Sequence, residues 1–421
     1  MKDSGIEWIG EVPNDWRIVR NKNAFVCNKE LVGEKSELTQ LLSLTTRGIK
    51  KKDINNAEGK LPESFDTYQF VKENDIVMCL FDLDCSAVFS GISPFDGMIS
   101  SAYRVLSCKE CMEPRYADYW FRYISNGRKF NHYAKNIRYT LSYEEFSTLP
   151  LLLPKKSEQR RIADYLDRKC SQIDAIIARQ QEVIEKLKAY KLSVITEAVT
   201  KGLNPDVPMK DSGVEWIGEI PEHWVLNKLK YLSLDIGDGI HATPTYDEDG
   251  NVYFVNGNNI GEEYLVFKED TNTISDTEYA SYKLPLLTGN TVFVTLNGAT
   301  YGKTSFYHGE KILLGKSAGF ITLKPTESRE FVRYYLQSYT AKLVMDLSLL
   351  GSTIANLSLR TLRDFVIPYP PREEQIKIVL YLSKRISSID AAASKKEKIV
   401  RELTDYKKSL IYEVVTGKKK V

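Results

Sequence analysis

Apolar side chains recur at alternating spacings of four and three residues in two long segments of the chain. The second segment lies 216 residues after the first (382 − 166) and repeats its pattern. At ~1.5 Å per residue, two helices of about 43 residues would each be roughly 65 Å long. The positions of the first seam are Leu166, Cys170, Ile173, Ile177, Gln180, Ile184, Leu187, Lys191, Val194 and Ala198.

A single helix cannot bury a seam of this length. The other long helix is the available partner, and internal two-fold symmetry would make the pair an antiparallel coiled coil. The polar seam positions Gln180 and Lys191 recur as Lys396 and Lys407, where they would help to fix the register at some cost in stability. The alternative is that each helix packs on a separate globular core.

A proline-marked, strand-like segment precedes each long helix, at residues 149–154 and 365–371. Proline disfavours helix there, so the helices should begin near Ser157 and Arg372. Residues 17–148 and 225–364 combine short apolar runs typical of strands with two short aromatic-rich helices, near residues 115–124 and 329–339. Because these features align at offsets of 215–216, the two regions should share an α/β fold while most of their side chains differ.

A second repeated segment confirms the duplication of the sequence. Residues 1–16 read MKDSGIEWIGEVPNDW, and residues 209–224 read MKDSGVEWIGEIPEHW. Two copies predict internal pseudo-two-fold symmetry, with the N-terminal segment beside the C-terminal helix. The recurring tryptophans of these segments should anchor each domain to the helices. The expected parts are 1–16, a first variable domain 17–150, a helix region 151–203, the repeat segment 204–224, a second variable domain 225–368 and a helix region 369–421.

Composition places this chain among globular proteins of two or three domains. It has 421 residues, 43% hydrophobic and 27% charged, with a net charge of +2. The sequence has neither a run of ~20 apolar residues nor an apolar N-terminus, so we expect a cytoplasmic protein. All six cysteines lie in the first half, which argues against a repeated disulfide or metal scaffold. Basic patches at 47–52, 128–138 and 155–161 are compatible with nucleic-acid binding or with an ordinary solvated surface.

Sequence motifs for catalysis are incomplete. Lys303 follows Gly302 as in a phosphate-binding loop, but Asn297 occupies the position of the first required glycine. The four histidines are scattered, and no adenine-methyltransferase motif is present. We therefore expect no catalytic residue, no metal and no cofactor in this chain.

The duplicated architecture resembles the DNA-specificity subunits of type I restriction-modification systems. The resemblance rests on GxEWIGxxPxxW at residues 5–16 and 213–224, on the Pro and Glu-Gln that open each long helix, and on Leu-Ser at 141–142 and 357–358. It also rests on GDGIHATP at residues 237–244, which the first variable domain lacks. The resemblance spans essentially the whole chain.

This resemblance implies two target-recognition domains, each reading one half of a split sequence in double-stranded DNA. The paired helices would set the spacing and bind two methyltransferase subunits, which use S-adenosylmethionine to methylate adenine. Restriction subunits that use ATP would join the larger complex. Two reading heads roughly 34 Å apart would suit two half-sites on one face of the double helix.

Candidate DNA-binding residues are polar or basic side chains in loop-like segments of both variable domains. Amides can read adenine edges, and Lys, Arg and Thr can bind phosphate, whereas Asn-Gly and Gly-rich segments are also ordinary turns. In the first domain the candidates are Thr45, Thr46, Arg47, Lys50, Lys51, Lys52, Asn131, Tyr133, Lys135, Asn136, Arg138 and Tyr139. In the second they are Gly239, His241, Thr243, Asn256, Asn258, Asn259, Asn297, Thr300, Tyr301 and Lys303.

Two other functions remain compatible with the sequence. The chain could be a coiled-coil scaffold that holds two protein-binding domains without binding DNA. It could also be an enzyme that acts alone on DNA. Salt-dependent DNA binding distinguishes recognition from the scaffold, and incubation of the chain alone with DNA and S-adenosylmethionine tests the enzyme.

Overall fold

The structure is a computed structural model that describes residues 1–46, 48–53, 62–83, 89–134, 139–349 and 356–421. The predicted site residues Arg47, Lys135, Asn136 and Arg138 lie outside the described residues. The chain divides into two compact units. Unit 1 consists of Met1–Gln181 and Glu397–Val421, and unit 2 consists of Glu182–Lys396.

Unit 1 contains short strands, short helices and the beginning of a long helix. Its strands are β1 (Lys2–Asp3), β2 (Glu11–Val12), β3 (Arg17–Arg20), β4 (Phe25–Asn28), β5 (Leu42–Thr45), β6 (Gly48–Lys51), β7 (Gln69–Val71), β8 (Ile76–Met78), β9 (Ser90–Ile92), β10 (Gly97–Ile99), β11 (Arg104–Cys108) and β12 (Pro150–Leu153). Its helices are α1 (Asn21–Ala24), α2 (Pro114–Asn126), α3 (Tyr143–Thr148) and the first part of α4 (Lys156–Lys201), with 3-10 turns at Gly33–Leu38 and Lys129–His132.

Unit 2 contains the same kinds of element and most of a second long helix. Its strands are β13 (Met209–Asp211), β14 (Glu219–Pro221), β15 (Val225–Lys228), β16 (Ser233–Gly237), β17 (Val252–Val255), β18 (Thr273–Ile274), β19 (Thr291–Thr295), β20 (Thr304–Phe306), β21 (Ile312–Leu314), β22 (Ala318–Leu323) and β23 (Val366–Tyr369). Its helices are α5 (Leu229–Leu232), α6 (Asp276–Ala280), α7 (Arg329–Leu336), α8 (Tyr339–Ser348), α9 (Leu359–Arg363) and α10 (Arg372–Val415), with a 3-10 turn at Gly257–Asn259.

The two units repeat one strand order. The main sheet of unit 1 is antiparallel in the order β4-β11-β8-β9, and that of unit 2 is β16-β22-β19-β20. The pair β3–β12 recurs as β15–β23, and β1–β2 recurs as β13–β14. Unit 2 adds a three-stranded sheet in which β17 and β21 run parallel. The predicted α/β class, the duplication and the two long helices are thus confirmed.

The long helices run antiparallel within each unit. In unit 1 Lys407 of α10 binds Asp174 of α4, at 2.6 Å. Closer to the start of α4, Glu158 accepts a hydrogen bond from the Trp16 indole, and the same ring lies beside Gly417, just after α10. Residue numbers therefore rise along α4 as they fall along α10. In unit 2 Lys191 binds Asp390 in the same way, at 2.8 Å.

Repeated tryptophans tie each repeat segment to the start of a long helix. Trp16 and Trp224 are almost fully buried, and their indole nitrogens donate to Glu158 at 3.1 Å and to Glu374 at 2.8 Å. Each acceptor belongs to a repeated Glu-Gln pair. The glutamine after Glu374, Gln375, is also buried and donates to the carbonyl of Pro370 at 2.9 Å. These contacts give the repeated sequence a structural role, because a buried indole N–H requires an acceptor.

The N-terminal segment packs beside the end of α10 within unit 1. A Cβ built on Gly417 would lie 2.4 Å from Pro13, and Val421 packs against the same apolar cluster as Trp8. Gly417 has φ +73°, a left-handed conformation that ends the helix at little cost for glycine. The short segment and the last helix therefore share one core.

Candidate nucleic-acid interface

Three predicted segments of unit 2 meet around the short connection between β21 and β22. Gly315 donates its N–H to Val255, and Ile240 donates to Leu314 at 2.7 Å. The Ser317 hydroxyl accepts a hydrogen bond from Gly257 N–H at 2.9 Å, while the Ser317 carbonyl accepts one from Leu296 at 3.0 Å. The segments around residues 238–244, 256–259 and 297–303 are thereby attached to one connection.

The Asn-rich segment forms a 3-10 turn that uses some of its amides internally. The Asn259 side chain accepts from Asn256 N–H at 2.9 Å and donates to the carbonyl of Val266 at 3.1 Å. Asn256 accepts from the Ser317 hydroxyl at 3.0 Å. Asn258 is exposed, and no hydrogen bond of its side chain occurs among the described residues. Of the three asparagines in this segment, Asn258 is therefore the one whose amide is turned to solvent.

Gly239 and Asp238 fix the conformation of the loop 237–244. A Cβ on Gly239 would lie 1.9 Å from the carbonyl oxygen of Leu314, so this glycine is required by close packing within the domain. The His241 side chain is exposed, and its Nε2 lies 2.8 Å from Asp238. Thr243 is exposed beside it. His241 and Thr243 thus present polar groups to solvent on a fixed backbone.

The loop after β19 presents a lysine and a tyrosine. Its ends are joined because Gly302 donates to Thr295 and Thr295 donates to Lys303, both at 2.8 Å. The Lys303 side chain is exposed. Tyr301 donates to Asp346, which raises the pKa of the phenol, and Asp346 also accepts from Lys342 at 3.2 Å. Asn297 and Thr300 are half-buried in the same loop.

In unit 1 the predicted basic segment is a β-hairpin. Strands β5 and β6 pair antiparallel, with Thr45 opposite Gly48 and the Thr45 hydroxyl donating to the Gly48 carbonyl at 2.8 Å. Gly48 has φ +89°, which the turn requires. Ile49 is buried, whereas Lys50 and Lys51 are exposed, and the Lys51 ammonium lies 4.7 Å from the Phe95 ring centroid. Thr46 is exposed and Lys52 is half-buried.

The second predicted cluster of unit 1 surrounds the 3-10 turn Lys129–His132. The Tyr133 hydroxyl accepts from the Trp8 indole at 3.2 Å, and Tyr133 packs against the main core of the unit. The Asn131 Oδ1 is buried without a partner among the described residues. Tyr139 is exposed, with φ 44°. Tyr133 therefore stabilises the domain, and its part in DNA binding stays a prediction.

The described residues provide no evident metal site. No group of three or more His, Cys, Asp or Glu side chains suited to a metal ion occurs among them. In the Cys108–Cys111 pair, burial raises the pKa of the Cys108 thiol to about 12, so this thiol is protonated at neutral pH. Within the described part of the chain, no helix is long and apolar enough to span a membrane.

Sequence reasoning missed Asp174, Asp390 and Arg333. The two aspartates are the acceptors of the seam lysines, and their spacing of 216 residues was a usable signal (390 − 174). Arg333 lies in α7, close behind the loop that carries Lys303. One arginine in a short amphipathic helix gives no such signal.

The geometry and the sequence both agree with a known family. A family model described as "Type I restriction modification DNA specificity domain" matches residues 237–401. The second half of the chain is therefore similar to the DNA-specificity domains of type I restriction-modification systems, as the sequence motifs predict.

Similarity to individual relatives extends over almost the whole chain. A protein assigned as the MjaX type I restriction enzyme specificity subunit of Methanocaldococcus jannaschii is 24% identical over 98% of this chain and 96% of its own length. The MjaVIII specificity subunit of the same organism is 25% identical over 97% of this chain and 94% of its own length.

A solved structure shares the fold. That structure concerns complex assembly and conformational transition of the type I R-M system. It has a TM-score of 0.69 and 16% identity, and the alignment covers 97% of this chain and 100% of the solved chain. The predicted resemblance to type I DNA-specificity subunits is confirmed.

Proposed function

We propose that this chain recognises a bipartite target in double-stranded DNA for a type I restriction-modification complex. The observation that carries the proposal is the duplicated domain. Both units have the same order of strands in the main sheet, but their exposed loops differ in length and in chemistry. A shared scaffold with two different surfaces suits two different half-sites.

Unit 2 offers the clearer reading surface. Its three loops are fixed to the connection between β21 and β22 and present Asn258, His241, Thr243 and Lys303 to solvent. An amide can make paired hydrogen bonds with adenine in the major groove, whereas lysine binds phosphate without regard to sequence. Asn258 would therefore contribute specificity, and Lys303 would contribute affinity.

Unit 1 would read its half-site mainly with the β5–β6 hairpin. A two-stranded ribbon fits the major groove of B-DNA. Lys50 and Lys51 are exposed on β6, and Thr46 is exposed in the turn. These groups can bind phosphate and base edges from one rigid element.

The chain itself would select the sequence without catalysing a reaction. Methyltransferase subunits would supply S-adenosylmethionine chemistry, and restriction subunits would supply ATP-dependent cleavage. Because the substrate of such a complex is cellular and invading DNA, we place its action in the cytoplasm.

Two measurements test the proposal. The full-length chain should bind random-sequence duplex DNA with an affinity that falls as salt rises, because lysine–phosphate contacts release counterions. Sequencing of methylated adenines in cells with and without this gene should then reveal one two-part motif that depends on it. Salt-independent or absent DNA binding, together with an unchanged methylation pattern, would reject the proposal in favour of a protein scaffold.

A further inference from the structure

A cleft of about 820 Å³ lies in unit 2 between the loop after β19 and residues of the two long helices. One wall is the loop 299–303, and the other includes Lys191 of α4 and Asp390 of α10. Arg333, Gln337 and Lys342 also line it. The variable domain and the helices thus form the cleft together within one unit.

Arg333 is a buried cation at this cleft. Its side chain and backbone are only 9% exposed in total. Its Nε lies 3.5 Å from the Thr304 carbonyl oxygen, and its guanidinium lies 4.9 Å from the Phe306 ring centroid. Burial lowers the pKa of Arg333, and Tyr334, Glu263 and Glu262 oppose that shift; the two glutamates also line the cleft. Among the described residues, no carboxylate forms an ion pair with Arg333.

Lys191 and Lys342, which also line the cleft, differ from Arg333 in having carboxylate partners. Lys191 binds Asp390 at 2.8 Å, and Lys342 binds Asp346 at 3.2 Å. The adjacent Arg329 also lies over Phe306, at 4.5 Å, and binds Glu330 at 3.0 Å. Among the described residues, two guanidinium groups therefore lie near Phe306, and only that of Arg329 is paired with a carboxylate. A buried charge without a counter-charge is costly, so Arg333 has an unmet preference for an anion.

Lys303 gives the cleft a second cation without an ion-pair partner among the described residues. Its side chain is exposed on the rim. A guanidinium binds phosphate oxygens in a fixed fork, while an ammonium at the rim adds a mobile point charge. A phosphate group is therefore the anion that Arg333 and Lys303 are best suited to bind.

We infer that this cleft binds a phosphodiester group of the DNA backbone, with Arg333 at its base and Lys303 at its rim. The inference rests on the proposed function and adds to it a named phosphate anchor in unit 2. A phosphodiester bound there would hold the DNA backbone against both the variable domain and the long helices α4 and α10. Arg333 would be a positioning residue that carries no sequence information of its own.

The test compares Arg333→Met, Arg333→Lys and Lys303→Ala with the wild-type full-length chain. Binding to random-sequence duplex DNA is measured by fluorescence anisotropy across a series of salt concentrations. Arg333→Met and Lys303→Ala should each lower the slope of log affinity against log salt by about one unit. Arg333→Lys should retain most of the slope. Lys324→Ala is the matched control, because exposed Lys324 follows the end of β22 opposite to the cleft.

Thermal unfolding separates a ligand-binding role from a structural one. Because no described carboxylate forms an ion pair with the buried charge of Arg333, Arg333→Met should melt no lower than wild type in the absence of DNA while binding DNA more weakly. A lower melting temperature with an unchanged salt slope would make Arg333 structural and overturn the inference. If Arg333→Met does not fold, Lys303→Ala still decides the test, because Lys303 is exposed and its substitution should not affect folding. An unchanged salt slope in Lys303→Ala would equally reject phosphate binding in the cleft.

Inorganic phosphate distinguishes the two sources of the anion. Backbone binding predicts that phosphate stabilises the wild type only weakly and displaces DNA no better than chloride of equal ionic strength. If phosphate stabilises the wild type, Arg333→Met abolishes that effect and the salt slopes of DNA binding are unchanged, the cleft binds a small phosphate ligand and the DNA inference is overturned.

If wild type itself shows no salt-dependent DNA binding, the proposed function fails. If wild type binds and every variant matches it, only the cleft assignment fails.

Discussion

The ammonium of Lys407 lies 2.6 Å from the carboxylate of Asp174, on the facing long helix of unit 1. The same pair recurs in unit 2 as Lys191 and Asp390, at 2.8 Å. The lysines are 22% and 25% exposed, so the Lys407 and Lys191 ion pairs lie at the edges of the apolar seams. Duplicated ion pairs therefore specify one antiparallel register in each unit.

Reversing one charge of this pair should destabilise unit 1. Lys407→Asp places two carboxylates together, and the double variant Asp174→Lys/Lys407→Asp restores an attractive pair. Since the pair is partly exposed, its contribution should be about 0.2–1 kcal/mol, with a larger penalty for like charges. Melting temperatures measure this. Lys398→Asp, which removes a surface pair with Glu402, is the control. No recovery in the double variant would contradict a register role.

The two tryptophans of the second repeat segment should differ sharply on substitution. Trp224 is 0% exposed and donates to Glu374, whereas Trp216 is 40% exposed. Trp224→Phe should therefore cost about 1.5–3 kcal/mol, because a partly buried hydrogen bond to a charged group is lost together with part of a buried ring. Trp216→Phe should be nearly neutral. Denaturant unfolding of the full chain, followed by tryptophan fluorescence and circular dichroism, measures both. Equal effects would refute the anchoring role of Trp224.

The Asn-rich turn predicts opposite outcomes for two neighbouring residues. Asn258→Ala should leave stability unchanged and relax the preference at one base pair, at a cost of about 1–3 kcal/mol in binding. Asn259→Ala should destabilise the turn, because its amide bonds Asn256 and Val266. Competition binding with single-base variants of the target, beside melting temperatures, distinguishes them. Wild-type selectivity in Asn258→Ala would remove this residue from base recognition.

A circular permutant should fold, since both termini belong to unit 1. The N-terminal segment and the residues after α10 share one core through Pro13, Gly417 and Val421. A short linker from Val421 to Met1, with new termini opened at residues 204–207, should preserve DNA binding. Circular dichroism and the salt-dependent binding assay measure this. Loss of folding, when a chain nicked at 204–207 still folds, would show that the termini cannot be joined in this way.

Much of the scaffold was predictable because periodic patterns depend on side-chain chemistry alone. Helix α10 begins at the predicted Arg372, and α4 begins at Lys156, one residue before the predicted Ser157. The predicted helix at 329–339 instead ends at Leu336, and α8 begins at Tyr339. Ser338 causes this break, because its hydroxyl accepts from Ala341 N–H and caps a new helix.

The candidate site was less predictable because side-chain direction depends on tertiary contacts. The sequence marks Asn256, Asn258 and Asn259 equally, yet only the fold around Ser317 and Val266 turns two of them inward. Arg333 illustrates the converse. Nothing in the sequence of its helix indicates that Arg333 is buried beside Phe306, with no ion-pair partner in the described part of the chain.

The most direct test of two-part recognition exchanges residues 225–364 for the equivalent region of a type I specificity subunit with a different target. The hybrid is expressed with the methyltransferase subunits proposed above, and methylated adenines are mapped by sequencing. One half of the methylated motif should change, while the other half and the gap between them remain as in wild type. Simultaneous change of both halves, or an unaltered motif made by a folded hybrid, would contradict the assignment of one half-site to each variable domain.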